Sequence, residues 1–169
     1  MAARGAAGLR LDGTDFRRAM GQFATGVAVV TVGGLDGPYG TTVNSLSSVS
    51  LVPPLLLICL ESRARGAEII GEKGQFTVNI LAARQEHLAR RFADRRRECG
   101  PAAFDDVPHH RAPSGAPVFT EALARVDCHV ERQVCAGDHT IFLSQATHVT
   151  VTDAATPLTF FRGRLLTES

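Results

Sequence analysis

Tryptophan is absent from the chain and tyrosine occurs once, as Tyr39, which removes the aromatic platform on which single-stranded nucleic acid stacks. An excess of one charge is missing too. Eighteen basic residues stand against 17 acidic ones for a formal net charge of +1, so no global field gathers polyanions, and neither nucleic acid nor a membrane is an expected partner. The longest apolar run, residues 51–60, contains Pro53 and Pro54 and is about half of the roughly 20 residues a membrane span requires. The four cysteines, Cys59, Cys99, Cys128 and Cys135, form no CxxC pair and match no zinc module. Even with His129 and His139 nearby, reduced thiols and no metal are expected. The dinucleotide fingerprint, the lysine-bearing phosphate loop and the serine nucleophile elbow are also missing.

The most informative segment present is GTTVNSLSSVS, residues 40–50. It combines the hydroxyls of Thr41, Thr42, Ser45, Ser47, Ser48 and Ser50 with the amide of Asn44, and it has no ionisable side chain. Such a segment supplies no nucleophile or general base. It is rich in neutral donors suited to phosphate and ring carbonyl oxygens, as in the wall of a cofactor pocket.

A chain of 169 residues fits one domain and can bury a core without staples. Residues 2–8 are small and mildly apolar, with Arg4 and Arg10 breaking the pattern. That predicts a disordered start over residues 1–12, in a cytoplasmic protein, ahead of a domain over 13–169. Asp12 or Thr14 caps a short helix through Met20, with Phe16, Ala19, Met20 and Phe23 on one face. Residues 27–32 read as a strand, and the glycines that follow predict a hairpin into residues 41–43. Strands are further expected over 55–60, 76–81, 122–133, 140–150 and 158–161. Helices are expected over 64–71 and from Leu81 to Phe92, with a loop over 95–117. Many short strands without regular βα alternation favour a mainly β antiparallel barrel with two or three short helices.

The order FATGVAVVTV, the hydroxyl segment, PPLLLICLESR, QFTVNIL, AGDHTIFL and PLTFFRGR resembles the short-chain flavin reductase family, the reductase component of two-component flavin-dependent monooxygenases. The likeness runs from about Phe16 to Arg164. It implies the FMN-binding split barrel, a Greek-key antiparallel barrel forming homodimers with flavin at or near the subunit interface. It also implies an NAD(P)H:flavin oxidoreductase that takes hydride from NADH or NADPH to FMN or FAD and supplies reduced flavin to a partner monooxygenase. A non-catalytic flavin carrier on the same barrel is the alternative. Pyridoxamine-phosphate oxidase-like chemistry is a weaker one, because the basic set for a second phosphate is not evident.

The resemblance also carries roles. Thr42, Val43, Asn44, Ser45, Ser47 and Ser48 match positions that line the ring and ribityl-phosphate site, and Thr25 and Gly26 lie close to the flavin. Family members often hold phosphate with Ser and Thr around an Arg. Here Ala64 and Gly66 flank Arg65, leaving Arg65 and Ser62 for that task. Asn79 is read as an amide toward the ring, with a bond to a neighbouring strand as the alternative. The five arginines Arg90, Arg91, Arg95, Arg96 and Arg97 either grip a pyrophosphate or form a solvated helix face. Gly137, Asp138 and His139 match the segment associated with nicotinamide binding, so His139 positions NAD(P)H and Asp138 orients the turn or the ring. Phe160 lines the pocket, and Arg162 is structural or near the flavin. His109, His110, His129 and His148 are read as surface or satisfied positions.

Overall fold

The computed structural model describes residues 12–34, 37–152 and 156–167. The disordered start expected over residues 1–12 falls outside them apart from Asp12, as do two residues of the glycine-rich turn and three of the turn after residue 152.

Helix α1 (Gly13–Met20) begins at Asp12, whose carboxylate accepts the Thr14 N–H at 3.0 Å. The apolar face of Phe16 and Met20, with Phe23 just beyond, is left uncovered: all three are more than half exposed. Strands β1 (Thr25–Gly26), β2 (Ala28–Val32), β3 (Tyr39–Val43), β4 (Ser47–Leu51) and β5 (Pro54–Glu61) follow. Then come α2 (Arg65–Lys73), β6 (Gln75–Ile80), α3 (Glu86–Ala93), β7 (His109–Arg111) and β8 (Pro117–Phe119). The chain finishes with β9 (Ala124–Ala136), β10 (His139–Val151), β11 (Thr159–Phe161) and β12 (Arg164–Leu166). Sequence reasoning missed β1, β4, β12 and the β7/β8 pair inside the expected loop, strands made by their pairing partners rather than by a period of their own.

Seven antiparallel strands lie in the order β3-β2-β6-β9-β10-β5-β4, beside a β1-β11-β12 sheet and the β7/β8 hairpin. The seam between β3 and β5 is drawn together by Ser45. Its hydroxyl donates to the Cys59 carbonyl at 2.8 Å and accepts the Cys59 N–H at 3.1 Å.

Strand β2 is buried along its whole length because both faces are covered. Ala28, Val30 and Val32 turn inward to Ile58, Phe76, Val78 and Phe142. Val29, with Val27 just ahead of β2, turns outward to a second core of Leu81, Leu88, Phe92, Phe104, Phe119 and Leu158. The period of two thus serves two cores, which is why the strand reads as a continuous apolar run. In the outer core the Phe92 ring lies 5.0 Å from Phe104 and 5.8 Å from Phe119. A Cβ on Gly33 would come within 2.6 Å of the Gly115 carbonyl carbon, so the β7/β8 hairpin can close on β2 only over a glycine. Among the described residues, no helix is long and apolar enough to cross a membrane.

Candidate active site

Strand β5 organises the site. On one flank the hydroxyl-bearing loop is tied to Cys59 through Ser45. On the other, β10 places Ile141 opposite Cys59, Thr140 opposite Leu60 and His139 opposite Glu61. The turn before β10 is fastened where β5 ends. The Ser62 N–H donates to the Asp138 carbonyl at 2.9 Å, and the Ser62 and Thr140 hydroxyls lie 3.0 Å apart. The loop and the Gly-Asp-His turn therefore flank the same few residues of one strand, separated by about two interstrand spacings, or roughly 10 Å.

A third segment reaches the same end of the barrel. Ala28 pairs with Val43, so Thr25 and Gly26 lie just upstream on β1, where the chain leaving β3 enters the hydroxyl loop. Thr25 pairs with Phe160 of β11. Two observations there fit a ring-shaped ligand with peripheral acceptors. The Thr25 hydroxyl is buried without a hydrogen-bond partner among the described residues, an unmet donor of the kind that proteins rarely leave. A Cβ on Gly26 would meet nothing within 4 Å, so space is open beside that backbone. Asn44 and Ser48 are exposed, and Ser47 spends its hydroxyl only on the neighbouring Ser48 carbonyl at 3.3 Å.

The His139 Nδ1 lies 2.7 Å from the Asp138 carboxylate. That bond, followed by the charge of the ring, holds the Asp138 carboxyl below its usual range. In the neutral form of the ring, the ionised Asp138 favours the proton on Nδ1 and leaves Nε2 as an acceptor. The His139 side chain is 47% exposed, leaving that nitrogen reachable from solvent. Burial pushes the Cys59 thiol up, so this cysteine offers no thiolate at neutral pH.

Other residues expected at the site are committed elsewhere. Asn79 has no exposed surface. Its amide nitrogen donates to the Val29 carbonyl at 3.2 Å and the Thr31 hydroxyl at 3.1 Å, and its oxygen accepts the Phe119 N–H at 2.7 Å. These bonds to neighbouring strands are the alternative that the sequence left open for it. The Thr42 hydroxyl donates to the Ala89 carbonyl at 2.7 Å, fixing α3 to β3, and Val43 is buried in the inner core. Both shape the wall without offering it a side-chain donor. Arg91 forms a two-pronged ion pair with Asp106, which holds that carboxyl down at about 2. Arg162 donates twice to the Gln22 side chain, at 2.9 and 2.7 Å, and so joins the β11/β12 hairpin to the turn after α1.

The remaining arginines of the cluster are also engaged: Arg90 with Glu86, Arg95 with Glu61 and Arg96 with Asp94. Arg97 donates to the Tyr39 hydroxyl and the Gly40 carbonyl, both at 2.6 Å. At position 66, where the hydroxyl is missing, a Cβ would approach the Tyr39 ring to 3.0 Å. Arg65 stands exposed at the first turn of α2 with no carboxylate partner among the described residues. Sequence reasoning did not single out Cys59 or Thr140, because their part is played through backbone pairing and a hydroxyl contact across strands.

A flavin reductase like domain matches residues 20–169. The chain belongs to the flavin reductase family. It is 43% identical over 154 residues to an NADH-dependent FAD reductase of Streptomyces globisporus, a match covering 90% of this chain and 84% of that one. It is 35% identical over 154 residues to the reductase component of a 4-nitrophenol and 4-nitrocatechol monooxygenase of Rhodococcus opacus, covering 91% and 80%. Among solved structures, the flavin reductase component of a bacterial two-component tryptophan halogenase superposes with a TM-score of 0.87 at 40% identity, covering 92% of this chain and 97% of that one. The Streptomyces globisporus NADH:FAD oxidoreductase in complex with NAD and FAD fragments gives 0.85 at 41%, covering 92% of each. The mainly β split barrel expected from sequence is thus the fold of the family's flavin reductases.

Proposed function

We propose that the chain is an NAD(P)H:flavin oxidoreductase that supplies reduced FMN or FAD to a partner monooxygenase. The observation that carries this reading is the meeting of the uncharged hydroxyl loop and the Asp138/His139 pair on two flanks of one strand. A bound flavin supplies the hydride acceptor. The chain supplies placement. Thr25, Asn44, Ser47 and Ser48 offer neutral donors to the ring edge and its substituents, Arg65 with Ser62 stands near the phosphate end, and Phe160 forms an apolar side.

His139, oriented by Asp138, presents Nε2 as an acceptor for the carboxamide N–H of a nicotinamide, holding the two rings face to face. Close approach and orientation are the main requirements of hydride transfer, so a site with neither paired carboxylates nor an activated nucleophile is adequate for it. Steady-state oxidation of NADH and NADPH with FMN, FAD and riboflavin offered separately tests the reading. No turnover with any pair rejects it, and tight flavin retention without turnover favours a carrier.

The working form is read as a homodimer in the cytoplasm. Phe16, Met20 and Phe23 leave an apolar face on α1 uncovered, and Leu51 and Val52 are exposed at the edge of the large sheet, as in surfaces that await a partner. All four cysteines are free of disulfides, in keeping with a reducing compartment. A monomer mass by sedimentation at micromolar concentration would refute the dimer.

A further inference from the structure

A concavity of about 500 Å³ is lined by residues of β6, β9 and β10 and of the β7/β8 hairpin. That volume is typical of small-molecule sites, which run from about 300 to 1,000 Å³. No residue assigned to the flavin or nicotinamide lines it. Its β10 residues, Thr147 to Thr150, lie roughly 26 to 36 Å along the strand from His139 at a rise of about 3.3 Å per residue.

Two arginines line this concavity, Arg111 from β7 and Arg125 from β9. Neither has a carboxylate partner among the described residues, unlike Arg84, Arg90, Arg91, Arg95 and Arg96. Arg125 donates to the Thr120 carbonyl at 3.3 Å and the Thr152 hydroxyl at 2.8 Å. Its Nε is buried with no partner at all among those residues. That buried nitrogen is out of reach of the cavity, but the two terminal nitrogens each make one of these bonds and each keeps a second N–H for an entering acceptor.

Arg111 uses only one nitrogen, on the Gly115 carbonyl at 3.1 Å. Asp127, the single carboxylate on the wall, accepts the Thr77 hydroxyl through one oxygen at 2.6 Å, and its one negative charge is outweighed by the two guanidinium charges. His110 and His148 add ring nitrogens, and Pro113 and Val118 provide an apolar floor.

We propose that this concavity binds a small organic anion, its carboxylate or phosphate seated on Arg111 and Arg125 and its apolar body lying on Pro113 and Val118. The site is independent of the reductase reading. Titration calorimetry of the full chain at low ionic strength tests it, with benzoate as probe and inorganic phosphate as a charged competitor lacking an apolar body.

Saturable benzoate binding is expected, displaced by phosphate, weakened about tenfold or more in Arg125→Gln and in Arg111→Gln, and unchanged in His139→Ala. Arg111→Gln guards against misfolding of the first variant, because Arg111 sits exposed on the hairpin. No saturable benzoate binding at millimolar concentration would overturn the site. So would binding that survives both arginine substitutions, fails to respond to phosphate, or disappears with His139.

Discussion

The hydroxyl loop after β3 and the arginine-rich stretch from Arg84 to Arg97 are the two most conspicuous segments of the sequence, and the fold treats them oppositely. In the loop, Asn44 and Ser48 remain exposed, and only Ser45 among the hydroxyls reaches across to another strand. In the second stretch the arginines are turned back onto the chain. Arg84 meets Glu121, Arg90 meets Glu86, Arg91 meets Asp106, Arg95 meets Glu61, and Arg97 meets Tyr39. A strong local composition therefore indicates a binding surface only when the fold leaves its donors unspent.

The strongest way to break this contrast is to remove what holds the arginine stretch in place. Phe92→Ala takes a fully buried ring out of a cluster with Phe104 and Phe119, and should cost about 3 to 5 kcal/mol in urea unfolding. Asn79→Ala leaves the buried Phe119 N–H without its acceptor. A loss of about 1 to 3 kcal/mol is expected, with flavin affinity of the folded fraction unchanged; a selective loss of flavin would return Asn79 to the site.

His139→Ala sharpens the other side of the comparison. The KM for the nicotinamide should rise about tenfold, the effect of one hydrogen bond to a ligand, while the flavin Kd moves little. Equal losses would count against its assignment to the nicotinamide.

The smallest effect is expected from Arg91→Gln, whose ion pair lies at the surface. Flavin affinity and turnover should match the parent chain, and a clear loss of either would show that Arg91 reaches a ligand. The same pair gives a pH signature. The Asp106 carboxyl is lowered to about 2, so its contribution to stability is present above the ordinary carboxylate pKa. It is lost as pH falls through about 2. Acid unfolding of Arg91→Gln should begin at higher pH than in the parent.

Much of the barrel was legible in the chain. The β2/β3 hairpin, β6, the long β9/β10 pair and the turn at Gly137 and Asp138 follow from β-branched runs separated by turn residues, because those preferences act over a few neighbours. The α1 face was legible as a helix face but not as an uncovered one, since burial depends on what lies opposite. The strands β1, β4, β7, β8 and β12 were not legible because their pairing partners, rather than their own composition, make them strands.

By itself the sequence determined the family, the barrel class and the neutral chemistry of the loop, all of which depend on the order and type of residues along the chain. Tertiary structure alone decided which polar groups stayed available. Asn79, Thr42, Arg91 and Arg162 were drawn into internal bonds, whereas Thr25 near the loop and Arg125 on β9 kept buried donors without acceptors among the described residues. The physical reason is that a hydrogen bond has two ends, and the second end is set by strand register and packing across distances that no local pattern records.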